Sequence, residues 1–484
     1  MTADPARQHY GLTLGVLVLS ALAYALAQTM VAPALPAIQS DLGTSTTTVT
    51  FVLTAYLLTA SVATPIVGRL GDMFGKERLL LITLICFGAG SLICAFSHSI
   101  GMLIVGRAVQ GVGGAVFPLA FGIIRDEFPP ERVATGIGLI SATFGIGGGA
   151  GLVLSGLIVD HLAYEWIFWL ALVFVVIAIV ATHLFVPESP IKSPAKIDWV
   201  GAGLLTVGLS ALLIGVSEGA SWGWSDGRTL GLLGMGVLTL LIWIGWERRA
   251  PEPLVDMRMM AQRGVLTTNL TGFLVGFGMF GSFILIPRFV QVDPSISGFG
   301  FDATVTEAGL FLLPSALVML FAGPISGWLG TRFGSRLPLL LGTAVCTVSF
   351  SFLAAAHSER WEIYLGTTLM GVGIGLAFAA MANLIVEAVD RTKTSVATAM
   401  NTIMRTIGGS LGGQITASIV AAHVIAGTVA PAETGFTIAF ALSAVGVAAA
   451  FCAALAIPSR LPYATRRGDP VVAPSAPLAT QQQG

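Results

Sequence analysis

From about residue 12 to residue 457 the chain is a succession of apolar runs, most of them close to the length that crosses a bilayer. A spanning helix needs roughly 20 apolar residues to cover about 30 Å of hydrocarbon. Only 10% of the 484 residues are charged, against about a quarter in soluble domains. The fold class expected is therefore all-α and integral to a membrane. The first run, 11–36, is too long for a cleaved signal peptide and lacks an early small-residue cleavage site, so it reads as a retained span. Cys86, Cys94, Cys346 and Cys452 sit inside apolar runs without paired thiol spacing or a histidine cluster. They read as small packing residues, with no metal implied.

Set against their polar breaks, the runs give fourteen expected spans. Six lie at about 12–36, 48–69, 79–97, 99–124, 133–158 and 166–186. A pair follows at 199–218 and 229–246, and six more at 264–288, 306–330, 337–356, 361–386, 394–424 and 435–457. The expected division is a six-helix bundle over 1–190, two inserted spans with linkers over 191–262, a second six-helix bundle over 263–458, and a disordered cytoplasmic tail over 459–484. With the N-terminus inside, the inner loops collect Arg69, Lys76, Arg78, Arg125, Arg132, Arg248, Arg249, Arg332, Arg336, Arg391 and Lys393. The outer loops keep Arg228, Arg288 and Arg360. This asymmetry predicts an even number of spans with both termini cytoplasmic.

The second and third spans are joined by GRLGDMFGKERLLL, residues 68–81, a charged hinge with no room for a loop. Its Gly68, Gly71 and Gly75 pattern returns at Gly327, Gly330 and Gly334, an offset of 259 residues. The run Gly111-Val112-Gly113 returns at Gly371-Val372-Gly373, an offset of 260. Near-constant offsets mean a duplicated bundle, and parallel repeats of this kind place a carrier's central site at the repeat interface.

These residues resemble the major facilitator superfamily, in its fourteen-span drug:proton antiporter branch. The hinge matches a loop motif of that family through Gly68, Leu70, Asp72, Gly75, Lys76 and Arg78, with Glu77 an acidic departure. A fourth-span motif matches at Leu103, Arg107, Gln110, Gly111, Gly113 and Ala115. The inserted pair also looks typical of the branch. The resemblance implies a conformational latch made by Gly68, Gly71, Asp72 and Gly75, with Arg78 and Asp126 as a charged relay behind it. Physically, the small glycines let helix ends approach closely. The carboxylate of Asp72 would meet the N-terminus of the thirteenth span near Thr394, whose partial positive charge stabilises it. Loop charges that merely fix topology are the plainer alternative.

Arg107 lies eight residues into a span and should face the bundle interior. It either couples protons, as the resemblance implies, or ties neighbouring helices together. The acid expected opposite it is missing, because the stretch Leu26 to Pro36 carries Ala27 and Ala32 where the family has Asp and Asn. The fifth span departs as well, with Leu152 and Ser155 in its proline and glycine motif. No carboxylate stands mid-span. Glu307, Glu387 and Asp72 remain as acidic proton-coupling candidates near helix ends. Arg405 lies about eleven residues into the thirteenth span, with either a substrate group or a packing neighbour as its partner. Gln28, Gln110, Phe117, Phe144, Phe280, Phe311, Phe378 and Asn401 are the other candidates for the substrate cavity.

No nucleotide loop or catalytic constellation is present, so an enzyme is not expected, nor a cofactor or nucleic-acid partner. The resemblance implies alternating-access export of lipophilic small molecules from a bacterial plasma membrane by a monomer, driven by proton antiport. An exporter of lipid or a dedicated metabolite with weak or no proton coupling is one alternative. A transporter-like sensor without flux is another.

Overall fold

The computed structural model describes residues 10–189, 191–193, 196–425, 430–459 and 461–462. The expected tail at 459–484 therefore lies almost wholly outside the described residues. The chain enters as α1 (Tyr10–Thr29) and α2 (Val31–Asp41), then α3 (Thr46–Phe74), α4 (Lys76–Ala95), α5 (Ile100–Gly111), α6 (Val116–Glu127), α7 (Pro130–His161) and α8 (Trp166–Phe185). Next come α9 (Trp199–Trp222), α10 (Gly227–Glu247), α11 (Met257–Met260), α12 (Arg263–Val290) and α13 (Pro294–Ser297). The chain closes with α14 (Val305–Phe333), α15 (Arg336–Ala355), α16 (Arg360–Ala388), α17 (Thr394–Ala422) and α18 (Glu433–Leu455). A 3-10 turn at Val112–Ala115 joins α5 to α6 into one path. Among the described residues there is no strand, only an isolated bridge between Val424 and Pro431.

Thirteen segments of the described chain are long and apolar enough to cross a membrane. They fall where the apolar runs place them, with one exception, α17. That helix has 29 residues, about 43 Å at 1.5 Å per residue. It is long enough to span but carries Thr394, Thr398, Asn401, Thr402, Arg405 and Thr406 at helical spacing.

Helices start where polar side chains can satisfy the first amides. Ser45 caps α3 by accepting from Thr48 N, and Asp198 caps α9 by accepting from Gly201 N. Thr304 and Glu307 form a reciprocal capping box at α14. α3 runs on to Phe74 and α4 starts at Lys76, so Gly75 alone separates them, at φ +120°. Gly334 makes the equivalent break between α14 and α15, at φ +89°. A Cβ is rarely tolerated at such angles.

Two helix pairs carry most of the contact between the repeated halves, with α16 on α7 and α17 on α6 adding to it. On one, α7 packs against α14 along its length: Gly138 and Gly323 touch backbone to backbone, Gly145 meets Met319, Gly149 meets Ala316, and Gly156 meets Thr306. On the other, α3 meets α17, where a Cβ on Gly68 would lie 3.0 Å from Ser395 O. The pair α9 and α10 pack on each other, with α9 against α3 and α17. There Thr54 and Ser217 hydroxyls lie 3.4 Å apart.

Candidate functional site

Asp72 is fully buried at the end of α3. Its Oδ1 accepts from Ser395 N at 3.3 Å and its Oδ2 from Val396 N at 3.1 Å. These are first-turn amides of α17 with no partner inside their own helix, so a carboxylate there satisfies two orphan donors and meets the positive end of the dipole. The hinge and the start of α17 thus come together.

The relay behind Asp72 differs from expectation. Lys76, not Arg78, stands between the two acids: its buried Nζ lies 3.5 Å from Asp72 Oδ1 and 2.6 Å from Asp126 Oδ2. Arg78 is 71% exposed and reaches Glu188 at 3.4 Å. The reason is helical phase. α4 begins at Lys76 after the break at Gly75, in a phase that turns Lys76 toward Asp72, and Arg78, two residues later on that helix, points away. Ser189 donates to Asp126 Oδ2 at 2.5 Å. Arg125, absent from the candidates, crosses to the other half, donating to Thr394 Oγ1 at 2.7 Å and Val389 O at 2.6 Å.

The second hinge has no acid. Among the described residues, Thr331 bonds only within its own helix, donating to Trp328 O. Gly327 instead presses on the backbone of Ala134, and Asn383 donates to Ala134 O at 3.3 Å. Glu387 accepts from Ser335 Oγ at 2.5 Å beside this break. Glu307 sits at the other end of α14, in its capping box. Near it, Thr306 donates to Asp160 at 2.8 Å, joining α14 to α7. The halves are thus fastened at both ends of the molecule.

Arg107 is buried among acceptors. Nε donates to Val52 O at 3.2 Å, and Nη1 to Ala27 O at 3.4 Å and Gln110 Oε1 at 2.5 Å. Its guanidinium lies 3.9 Å from the Tyr56 ring centroid. At Ala27, where the resemblance implies an aspartate, it is the backbone carbonyl that meets Arg107. Gln110 passes the network on to Ser91 at 2.8 Å and lines neither central cavity.

Between the halves lie two small cavities of about 10 and 20 Å³, each with room for about one water. The first is lined by Phe121, Ser141, Phe144, Phe378, Ala382, Thr398, Asn401, Thr402 and Arg405. The second is lined by Tyr24, Gln28, Leu57, Ala60, Ser61, Thr64, Gly114, Phe117, Phe144, Thr402, Ile403 and Thr406. Gln28, Phe117, Phe144, Phe378, Asn401 and Arg405 are therefore brought together. Phe311 is not: it stacks between Phe301 and Tyr364 in the core. The side chain of Phe280 lies outside the described ones. Tyr24, Ser141 and the hydroxyls of α17 were missed, although the four-residue spacing of Thr394, Thr398, Thr402 and Thr406 marks one helix face.

Comparison with known proteins follows this geometry. A 30% identity over 384 residues links the chain to the tetracenomycin C resistance and export protein of Streptomyces glaucescens, covering 78% of this chain and 70% of that one. The multidrug transporter protein MdtP of Bacillus subtilis is 28% identical over 379 residues, 78% of this chain and 69% of the other. The crystal structure of the human organic anion transporter MFSD10 (TETRAN) superposes with a TM-score of 0.68 at 15% identity, over 93% of this chain and all of that one, which speaks to the fold alone. Residues 17–413 match the family description of the Major Facilitator Superfamily. The chain belongs to the Major Facilitator Superfamily and is a transporter, not an enzyme.

Proposed function

We propose that this chain is an alternating-access exporter of lipophilic small molecules, of the fourteen-span drug:proton antiporter branch. The observation that carries the reading is the latch: Asp72 of one half seated on the first amides of α17 in the other, below a polar and aromatic cavity at the repeat interface. A contact of this kind holds one face shut and can part without repacking a core. The names of the relatives, a multidrug transporter and an antibiotic resistance and export protein, agree with drug efflux.

In this reading α17 also crosses the membrane, as the thirteenth of fourteen spans, and its polar stripe faces inward. Residues 1–190 and 263–458 are the two six-helix bundles, with α9 and α10 inserted between them. The Asp72 face is cytoplasmic, as are both termini, in a bacterial plasma membrane, and the protein works as a monomer. The closed latch makes this conformation one that is shut to the cytoplasm.

Proton antiport supplies the drive, with Asp72 as the carrier. Among the acidic candidates its burial is the one that alternates with the latch, and a carboxylate dry in one state and wet in the other binds its proton with two affinities. A second reading, export without proton coupling, is favoured by a different observation: no Asp or Glu lines either central cavity. Purified protein in liposomes, assayed for dye flux with and without an imposed pH gradient, separates the two. Flux accelerated by the gradient, with protons moving opposite to dye, supports antiport. Flux indifferent to the gradient establishes the second reading. No flux of any anionic, neutral or cationic dye leaves the sensor.

A further inference from the structure

Two of the buried arginines, Arg107 and Arg405, differ in what they leave unused. Arg107 spends Nε and Nη1 on the carbonyls of Val52 and Ala27 and on Gln110, leaving its Nη2 alone without a partner among the described residues. Arg405 is 7% exposed, yet it makes no hydrogen bond or ion pair with any described residue. Its guanidinium is held by two aromatic faces alone, 4.1 Å from the Phe378 centroid and 5.0 Å from that of Phe144. A guanidinium has five donors in a planar fork suited to a two-oxygen anion. In an interior of low dielectric such a group is costly unless something pairs with it.

Resting on the transport reading above, we propose that this is a binding site for the anionic group of an amphipathic substrate, a lipophilic carboxylate or sulfonate, with Arg405 as its counter-ion. Ser141 lines the same cavity, as do Asn401 and Thr398, whose donors are held by Asn269 Oδ1 and by the carbonyls of Thr268, Thr394 and Ser395, so Arg405 is the charged donor left for an anion. The walls fit the apolar remainder of such a molecule. No Asp or Glu lines the space, so the field at the centre is uncompensated and positive, attracting an anion and repelling a lipophilic cation.

The position is also conformationally apt. Phe144 belongs to α7 and Phe378 to α16, one on each half, while Arg405 belongs to α17. With both ends fastened, the ring sandwich occupies the site and leaves room for about one water. As the halves part, Phe144 withdraws, and the substrate's anion takes up the donors that the rings leave unbonded.

The test uses the full-length protein with three probes: an anilinonaphthalene sulfonate, its neutral sulfonamide analogue, and tetraphenylphosphonium. Binding is read on purified protein by fluorescence, or by equilibrium dialysis for the cation, and flux is read in proteoliposomes. The expected result is saturable sulfonate binding at least tenfold tighter than that of the neutral analogue. Arg405→Gln should remove at least tenfold of it and leave the analogue within twofold, with Arg405→Lys partly restoring it. The wild-type comparison of probes requires no variant, so a poorly folding Arg405→Gln leaves the test intact. Equal affinity for sulfonate and analogue, preference for the cation, or an equal loss of both probes in Arg405→Gln would overturn the proposal. Charge-selective binding without flux of any probe would overturn transport and uphold the site. Flux of neutral or cationic probes without sulfonate binding would do the reverse.

Discussion

Replacing Asp72 by Asn changes one atom and tests the latch directly. Asp72 accepts two amides of α17, at 3.3 and 3.1 Å, with Lys76 Nζ at 3.5 Å. Hydrogen bonds to a charged acceptor contribute about 1.5 to 3 kcal/mol and neutral ones about 0.5 to 1.5 kcal/mol. Asn keeps one oxygen and turns an NH2 toward the second amide, so one bond is lost and the other weakens. The attraction to the helix N-terminus, up to about 2 kcal/mol when partly buried, goes with the charge. Against this, a neutral amide is cheaper to bury than a carboxylate. A net loss of about 2 kcal/mol moves the closed-to-open ratio about 30-fold. Lys76 keeps Asp126 at 2.6 Å, so the variant leaves no orphaned cation and should fold. Spin labels at residues 131 and 391, both exposed on the latch side, report the separation of the halves by pulsed electron resonance. Asp72→Asn should populate a longer distance and slow transport. An unchanged distance distribution with undiminished transport would refute the reasoning.

Two further outcomes follow from the same geometry. Arg107→Ala strips donors from Ala27 O, Val52 O and Gln110. With Gln110 Oε1 left unpaired at about 1 to 3 kcal/mol and the charged bonds to two carbonyls lost, the melting temperature should fall by several degrees. Wild-type melting combined with flux that no longer responds to a pH gradient would assign Arg107 to coupling instead. Asp256, in the linker before α11, is pushed up by burial but held below its ordinary carboxylate value by hydrogen bonds from Lys393 and the amides of Met259 and Arg258. A depressed carboxylate contributes stability above its unfolded value, about 3.9, and loses it as pH falls through the folded one. The pair is about a third exposed, so Lys393→Met should cost at most about 1 kcal/mol at neutral pH. That difference should vanish in acid, as read by melting temperature; a difference that persists there would contradict the assignment.

Much of this architecture was legible because membrane helices announce themselves by length and by the polar residues that end them. Asp72 could be matched to the start of α17 because the family resemblance implies which helix lies opposite. The relay could not be read, because a single glycine at φ +120° sets the phase of everything after it. Lys76 turned inward and Arg78 outward on that account. Side-chain direction likewise separates Phe144, which faces the cavity, from Phe311, which is spent on an aromatic stack. A list of phenylalanines carries no such direction. Arg125 was invisible because its partners, Val389 O and Thr394, lie more than 260 residues away.

The polar face of α17 has a consequence for how the protein is made. Insertion scales charge about 2.5 to 3.5 kcal/mol for an arginine at a helix centre, and the threonines and Asn401 on the same face add to it. Unlike the thirteen apolar segments, this helix is ill suited to leave the insertion machinery alone. It has a ready-made berth: Gly408 and Gly412 sit against the carbonyls of Phe273 and Phe277 on α12, a helix made earlier in synthesis. Entry into the bilayer and docking onto α12 then become one event. A lesion in that groove would surface as a protein whose last two helices are misthreaded and degraded, long before any question of transport arises.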